Sequence, residues 1–383
     1  MNNSQYRNTR EAVAKSDVSH RALFRITAIL IAITIGSTSL RATCHFYPST
    51  EIPPGSVKLQ VIVFGDSLLD VGTYSQFAGA TFAGGRFTTN PGKIFVQEIA
   101  CRCGDLLTPA FLGGFGRPLS PAGGFDYAQG GSRVAMQPGV NHAASGTPNA
   151  DFSQQTTIPI GNQLSTYLSV YQRFHPDQLV IINGGANDIF VDLEAAQSAG
   201  TVAAEQTAVA AISQSALELA NIVDIVIAKG ATHVVLLNLP DLGTTPQGVA
   251  SGDHGQSLTQ ISQLFNSTLQ GELQNENLLD RIVLLDAFSL IDNVITNFQM
   301  FGFKVSNTEM ACNLQAQVAK ATTLRLSNPT QFGESLFCSA ATYTVKDADE
   351  TFMFADTVHP TTHLSAIVAN ALEQQITSSG ILK

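Results

Sequence analysis

The chain has 383 residues, 44% of them hydrophobic and 13% charged, with a formal net charge of −10. That length and apolar content suit one large α/β domain or two smaller ones with a sizeable core. The acidic balance, with no basic run or basic–aromatic patch after residue 50, argues against a nucleic-acid partner and fits a neutral or zwitterionic substrate better than a polyanion.

In chain order, residues 1–44 read as a signal peptide, with an uncleaved membrane anchor as the alternative. Arg7, Arg10, Lys15, Arg21 and Arg25 precede an apolar run from Ile26 to Gly36, and small and polar residues follow. The run is shorter than the roughly 20 residues a membrane span needs, and no A-x-A site marks the cleavage. This segment predicts a secreted, periplasmic or cell-surface protein, with contact to a membrane surface compatible with it. Export permits disulfides, and Cys312 with Cys338 is the preferred pair because both lie in one loop-rich region. Cys101 and Cys103 read either as a strained local bridge or as two separately used thiols. No C-x-x-C is present and only His45 sits beside a cysteine, Cys44, so no zinc site is expected.

Residues 57–383 read as a single domain. Val57–Phe64 is a first strand, and residues 91–100 are a helix opened by Pro91. Residues 104–150, rich in Gly and Pro, read as long loops, the kind of segment that carries binding function. Residues 178–183 form a second buried strand ending in Gly184-Gly185. A long Ala-rich helix spans 202–229, strands follow at 233–238 and 281–286, a helix lies between them at 256–278, and residues 361–376 form a closing helix. Residues 300–352 read as irregular. Strands separated by helices imply βαβ units, and near-continuous apolar strands imply a parallel sheet covered on both faces.

Gly65-Asp66-Ser67-Leu68 stands directly after the first strand. A serine at the carboxyl end of a buried strand is where such a sheet can present a nucleophile to a crevice. Gly255-Gln256-Ser257-Leu258 and Gly333-Glu334-Ser335-Leu336 look alike, but neither follows a buried strand. Taken alone, Ser67 is more often a helix cap than a nucleophile. A base is supplied by His359, just before the last helix, with Asp356 three residues earlier to fix its tautomer. An Asp in that position also serves as an ordinary helix cap, and His363, one turn further on, reads as structural. Oxyanion donors are offered by the paired glycines of Asp126-Tyr-Ala-Gln-Gly130-Gly131-Ser132 and by the amide of Asn187 in Asn183-Gly-Gly-Ala-Asn187-Asp188. In isolation these read as a turn and a helix cap.

Taken together, the residues resemble the GDSL esterase/lipase family, also called SGNH hydrolases. Phe64-Gly-Asp-Ser-Leu68 with Asp70 and Gly72, Tyr127-Ala-x-Gly130-Gly131, Gly185-Ala-Asn187-Asp188 and Asp356-x-x-His359-Pro360-Thr361 match its blocks in order over residues 57–376. Asn238-Leu-Pro-Asp-Leu-Gly243 and Phe301-Gly-Phe303 add weaker matches. Asp126 departs from the asparagine frequent in the family, and Leu69 and Val71 fall where members vary. The resemblance implies a flavodoxin-like three-layer α/β/α sandwich with a central parallel sheet. It implies Ser67 as nucleophile, His359 as base and acid, and Asp356 as its orienting partner. The oxyanion hole is implied from the Ser67 and Gly131 N–H groups and the Asn187 side chain, with Gly130 as an alternative donor. The expected activity is hydrolysis of carboxylic esters, lipid or phospholipid esters among them, without metal or cofactor. The alternatives are acyl transfer by the same triad and a non-catalytic surface binding protein on this scaffold.

Overall fold

A computed structural model describes residues 58–382. The leader expected at residues 1–44 lies outside the described residues. Four short apolar runs build the central sheet: β1 (Gln60–Phe64), β2 (Gln178–Ile182), β3 (His233–Leu237) and β4 (Val283–Leu285), all parallel and in the spatial order β1-β2-β3-β4. Ile62 lies beside Val180, Val180 beside Val234, and Leu236 beside Leu284. On the free side of β1, Val63 and Asp126 form a parallel bridge. There the Tyr127 N–H donates to Val63 O and the Val63 N–H to Phe125 O. The chain therefore leaves β1 to one side before crossing back to β2 on the other. The flavodoxin-like order has this reversal at the carboxyl end of β1, and the resulting crevice is the place where such sheets bind ligands.

The helices of eight residues or more are α1 (Ser75–Phe82), α2 (Phe95–Arg102), α3 (Ile160–Tyr171), α4 (Ala186–Ala199), α5 (Val202–Ala228), α6 (Gln256–Asn275), α7 (Ala287–Thr296), α8 (Leu314–Thr323) and α9 (Thr362–Ser378). Strand side chains alternate between two cores. Ile62, Phe64, Val180, Ile182, Val234 and Leu236 pack with α3, α5 and α6. Val61, Val63, Leu179, Ile181, Val235 and Leu237 pack with α2, α7 and α9. This is the three-layer sandwich expected, and the burial of both faces explains why the strands read as unbroken apolar runs. α5 is long and apolar enough to span a bilayer, yet its Ile212, Ala216, Leu219 and Val223 are buried on the sheet, which makes it a core helix.

The two regions read as loops hold more structure than their composition suggests. Within 104–150, Phe111–Gly114 and Arg117–Pro121 pair antiparallel. Within 300–352, read as irregular, α8 forms and Val305–Met310 pairs with Phe352–Phe354. Its residues are half-buried or exposed, so no apolar run announces that strand. Cys312 and Cys338 form the expected disulfide. Cys101 is disulfide-bonded and Cys103 is a buried free thiol, so these two are used separately.

Candidate active site

After Phe64 the chain turns sharply. The carbonyl of Asp66 accepts the N–H groups of Leu69 and Asp70, and its Oδ1 accepts that of Leu68 at 3.0 Å. Gln163 clamps Gly65, accepting its N–H and donating to its carbonyl, both at 2.9 Å. Asn183, just past β2, donates to Asp66 Oδ1 at 3.0 Å and accepts the Asp66 N–H. A Cβ on residue 65 would overlap Asn183 Oδ1, so the approach of the two strand ends requires glycine there. No helix begins at Ser67, since α1 starts at Ser75; the capping reading of this serine does not apply.

Ser67 Oγ lies 2.8 Å from His359 Nε2, across 292 positions of sequence. His359 Nδ1 lies 2.8 Å from Asp356 Oδ2 and 3.0 Å from Oδ1. The Asp356 carboxylate also accepts the backbone N–H groups of His359 at 2.8 Å, Val358 at 2.9 Å and Ser335 at 2.7 Å. Burial alone raises the Asp356 carboxyl, but His359 and these donors outweigh it and hold the group far below the usual carboxylate range. An ionised Asp356 only accepts, so the imidazole proton sits on Nδ1 and Nε2 accepts from the Ser67 hydroxyl. Burial lowers the affinity of His359 for a proton. Asp356, with Glu334 and Asp66 at longer range, more than reverses this, and its pKa is raised. The Phe87 ring packs 5.0 Å from the imidazole. α9 takes its cap from Thr361, whose hydroxyl accepts the Leu364 N–H, so Asp356 is free of that duty.

Near the serine stand two backbone donors and one side-chain donor. Among the described residues no acceptor takes the N–H of Ser67 or of Gly131. The Gly130 N–H is engaged by Asp70 Oδ2 at 3.0 Å, so of the paired glycines Gly131 is the one left open. Gly131 has φ +78, and a Cβ there would overlap the Val140 carbonyl. Asn187 donates one amide N–H to Ser132 O at 2.9 Å, which leaves the second free. Asp188 ties the two segments together. It accepts the Val134 N–H at 2.9 Å, Arg133 Nε at 3.1 Å and Ser215 Oγ at 2.9 Å.

Three supports were given no role from the sequence. Asp70, buried and raised to about 6 by its burial, fixes the glycine loop through Gly130 and its own turn through the Gly72 and Thr73 N–H groups. Gln163 holds the serine loop from α3. Ser335, dismissed as a look-alike, contributes its backbone N–H to Asp356. Asp126, where the family often has asparagine, accepts the Val71 and Ala128 N–H groups and touches none of the reactive groups. Ser257, in the first turn of α6, is exposed and donates its N–H to Asp253 Oδ2 at 2.9 Å, and His363 bonds the Glu350 carbonyl through Nδ1 and packs 4.4 Å from Phe303.

The cluster opens into a cavity of about 710 Å³ that includes Ser67, Gly131, Asn187, Asp356 and His359. Its lining includes the apolar Phe190, Leu193, Leu242, Leu258 and Ile291 beside the polar Glu194, Asn238 and Asp241. The lining also carries Asn141, Gln155 and Glu334, with Gln155 Oε1 against the Gly130–Gly131 backbone. A relayed hydroxyl facing unengaged N–H donors can add to a carbonyl and hold the charge that forms. Among the described residues no group of three or more His, Cys, Asp or Glu could hold a metal ion.

The family model described as GDSL-like Lipase/Acylhydrolase matches residues 61–372. A GDSL esterase/lipase of Arabidopsis thaliana is 26% identical over 342 residues, covering 81% of this chain and 85% of that protein.

Proposed function

The chain belongs to the GDSL-like lipase/acylhydrolase family and is a hydrolase acting on esters, and from that premise we infer that it cleaves carboxylic esters of lipid type through Ser67, His359 and Asp356. The observation that carries this reading is the run of short contacts from Ser67 Oγ through the His359 ring to Asp356, set opposite the free Ser67 and Gly131 N–H groups and the Asn187 amide.

Ser67 Oγ attacks the ester carbonyl while His359 Nε2 takes its proton, and Asp356 stabilises the imidazolium. The carbonyl oxygen becomes an oxyanion and accepts from the three donors, which are positioned before the charge develops. Collapse breaks the C–O bond as His359 returns the proton to the alcohol, leaving an acyl-enzyme. Water, deprotonated by His359, then releases the acid and restores Ser67. The apolar part of the lining, with Phe190, Leu193, Leu242, Leu258 and Ile291, suits an acyl chain, since burying it there removes methylene surface from water at about 0.8 kcal/mol per CH₂.

The disulfides support a place of work outside the reducing cytosol, in keeping with the export signal read in residues 1–44. A serine-directed fluorophosphonate is the direct test. Wild type labels, Ser67→Ala does not, and Ser335→Ala still labels; labelling retained in Ser67→Ala would refute the assignment. Profiling p-nitrophenyl esters from acetate to palmitate should place the kcat/KM maximum above acetate.

A further inference from the structure

The acidic lining of the cavity is unbalanced. Asp66, Glu194, Asp241, Glu334 and Asp356 all contribute to its wall, and no Lys or Arg does. Asp356 is matched by His359. Glu334 has no cationic partner at hydrogen-bond distance among the described residues; its two oxygens accept instead from the amides of Asn141 at 2.9 Å and Gln155 at 2.8 Å. These neutral donors fix the carboxyl in place without compensating its charge, so the ionised form is costly and is relieved either by a proton or by a ligand of opposite sign.

A second observation points the same way. Gln155 Oε1 and Asp66 Oδ2 are buried on the cavity wall, each on a residue 1% exposed, and neither takes a hydrogen bond. Both are acceptors. Gln155 Oε1 lies against the Gly130–Gly131 backbone, and Asp66 immediately precedes the serine. On this side the site therefore sets an uncompensated carboxyl beside two buried acceptor oxygens whose lone pairs are unused.

Resting on the ester-hydrolase reading above, we propose that Glu334, with Gln155 and Asp66, forms the subsite for the alcohol half of the ester and favours an alcohol bearing an ammonium group over a neutral one of the same shape. The position fits the chemistry. His359 must hand its proton to the departing alcohol, so the alcohol lies on the imidazole side. Glu334 belongs to that side, one residue before the N–H that holds Asp356. Phe87, packed on the imidazole and part of the same wall, adds an aromatic surface on which a cation can rest. A neutral alcohol finds no counterpart to the Glu334 charge, and an anionic one is repelled by the whole wall.

The preference carries a pH signature. Burial pushes the Glu334 carboxyl up to about 8, with His359 opposing and Asp356 adding to the rise. The charged groups around it are His359 and Asp356, and His359 in turn faces Asp356, Glu334 and Asp66. As pH climbs through 8, Glu334 gains its charge and attraction for a cation grows. Titration of His359 affects both kinds of ester alike and cancels in their ratio.

The test compares butyrylcholine with 3,3-dimethylbutyl butyrate, its uncharged isostere, from pH 6 to 9. The wild-type ratio of kcat/KM, cationic over neutral, should rise to roughly tenfold by pH 9, as expected for an ion pair partly screened by solvent. In Glu334→Gln the ratio should fall toward one and lose its pH dependence. A ratio near one in wild type, a ratio flat with pH, or an equal loss on both esters in Glu334→Gln would overturn the proposal. Inhibition of wild type by choline and by 3,3-dimethylbutan-1-ol, read on the neutral ester, repeats the comparison without any variant; choline must bind more tightly, and increasingly so with pH. Turnover of the neutral ester without preference defeats this subsite alone, whereas no turnover of either ester together with no fluorophosphonate labelling defeats the hydrolase reading with it.

Discussion

Gly65-Asp66-Ser67-Leu68 and Gly333-Glu334-Ser335-Leu336 differ by one methylene group, Asp against Glu, and both reach the same cavity. Their serines are used in opposite ways. Ser67 turns its hydroxyl to His359, and its N–H is left open. Ser335 turns its N–H to Asp356, and its buried hydroxyl has no partner. The first segment follows a strand whose end is pinned by Gln163 and Asn183. The second lies in a 3-10 turn, Ser335–Phe337, pinned by Asn90, whose amide donates to the Ser335 carbonyl at 3.1 Å. What a short motif does is decided by the donors and acceptors its backbone has left after the fold has taken its share.

That comparison can be broken by substitution, read as kcat/KM on p-nitrophenyl butyrate with Tm as the check on folding. Ser67→Ala should bring turnover below roughly 10⁻³ of wild type, because nothing else in reach can form the acyl-enzyme. Asn187→Ala should cost roughly 10²–10³ in kcat with a small change in KM, since its amide acts on the oxyanion and not on the ground state. Ser335→Pro deletes the N–H to Asp356, a bond to a charge worth about 1.5–3 kcal/mol, and should cost roughly 10–100-fold. Ser335→Ala keeps the N–H and should stay within about threefold. Equal losses in the two Ser335 variants would mean that the hydroxyl, and not the backbone, matters. The pH profile sharpens the same point. His359 must be neutral to act as base and its pKa is raised, so activity should fall as pH drops through a midpoint above the ordinary histidine value of about 6.5. A midpoint below that value would separate the base from its carboxylate.

Much of the fold was legible because it is written locally. Four apolar runs ended by turn residues gave the sheet, and alternation between the two cores follows from strand geometry. Ser67, His359 and Asp356 stood out because each sits next to an element end. The supports did not. Gln163 looks like any polar residue in a helix, Asn183 like a strand terminus, and Ser335 like a failed copy of the motif. Each acts through a partner far away in sequence, 98 positions in the case of Gln163 and Gly65, and such pairing leaves no local trace. The strand Val305–Met310 was missed for a related reason: its partner is Phe352–Phe354 and its faces are half wet.

The order in which these parts occur along the chain has a consequence for the making of the protein. β1, the serine loop, the glycine loop and Asn187 all come from the first half. His359, Asp356, the Ser335 donor and the Cys312–Cys338 clip come from the final quarter. On the proposed mechanism, a chain still on the ribosome carries a serine without its base. It passes the esters around it harmlessly, and becomes reactive only once its last segments have docked.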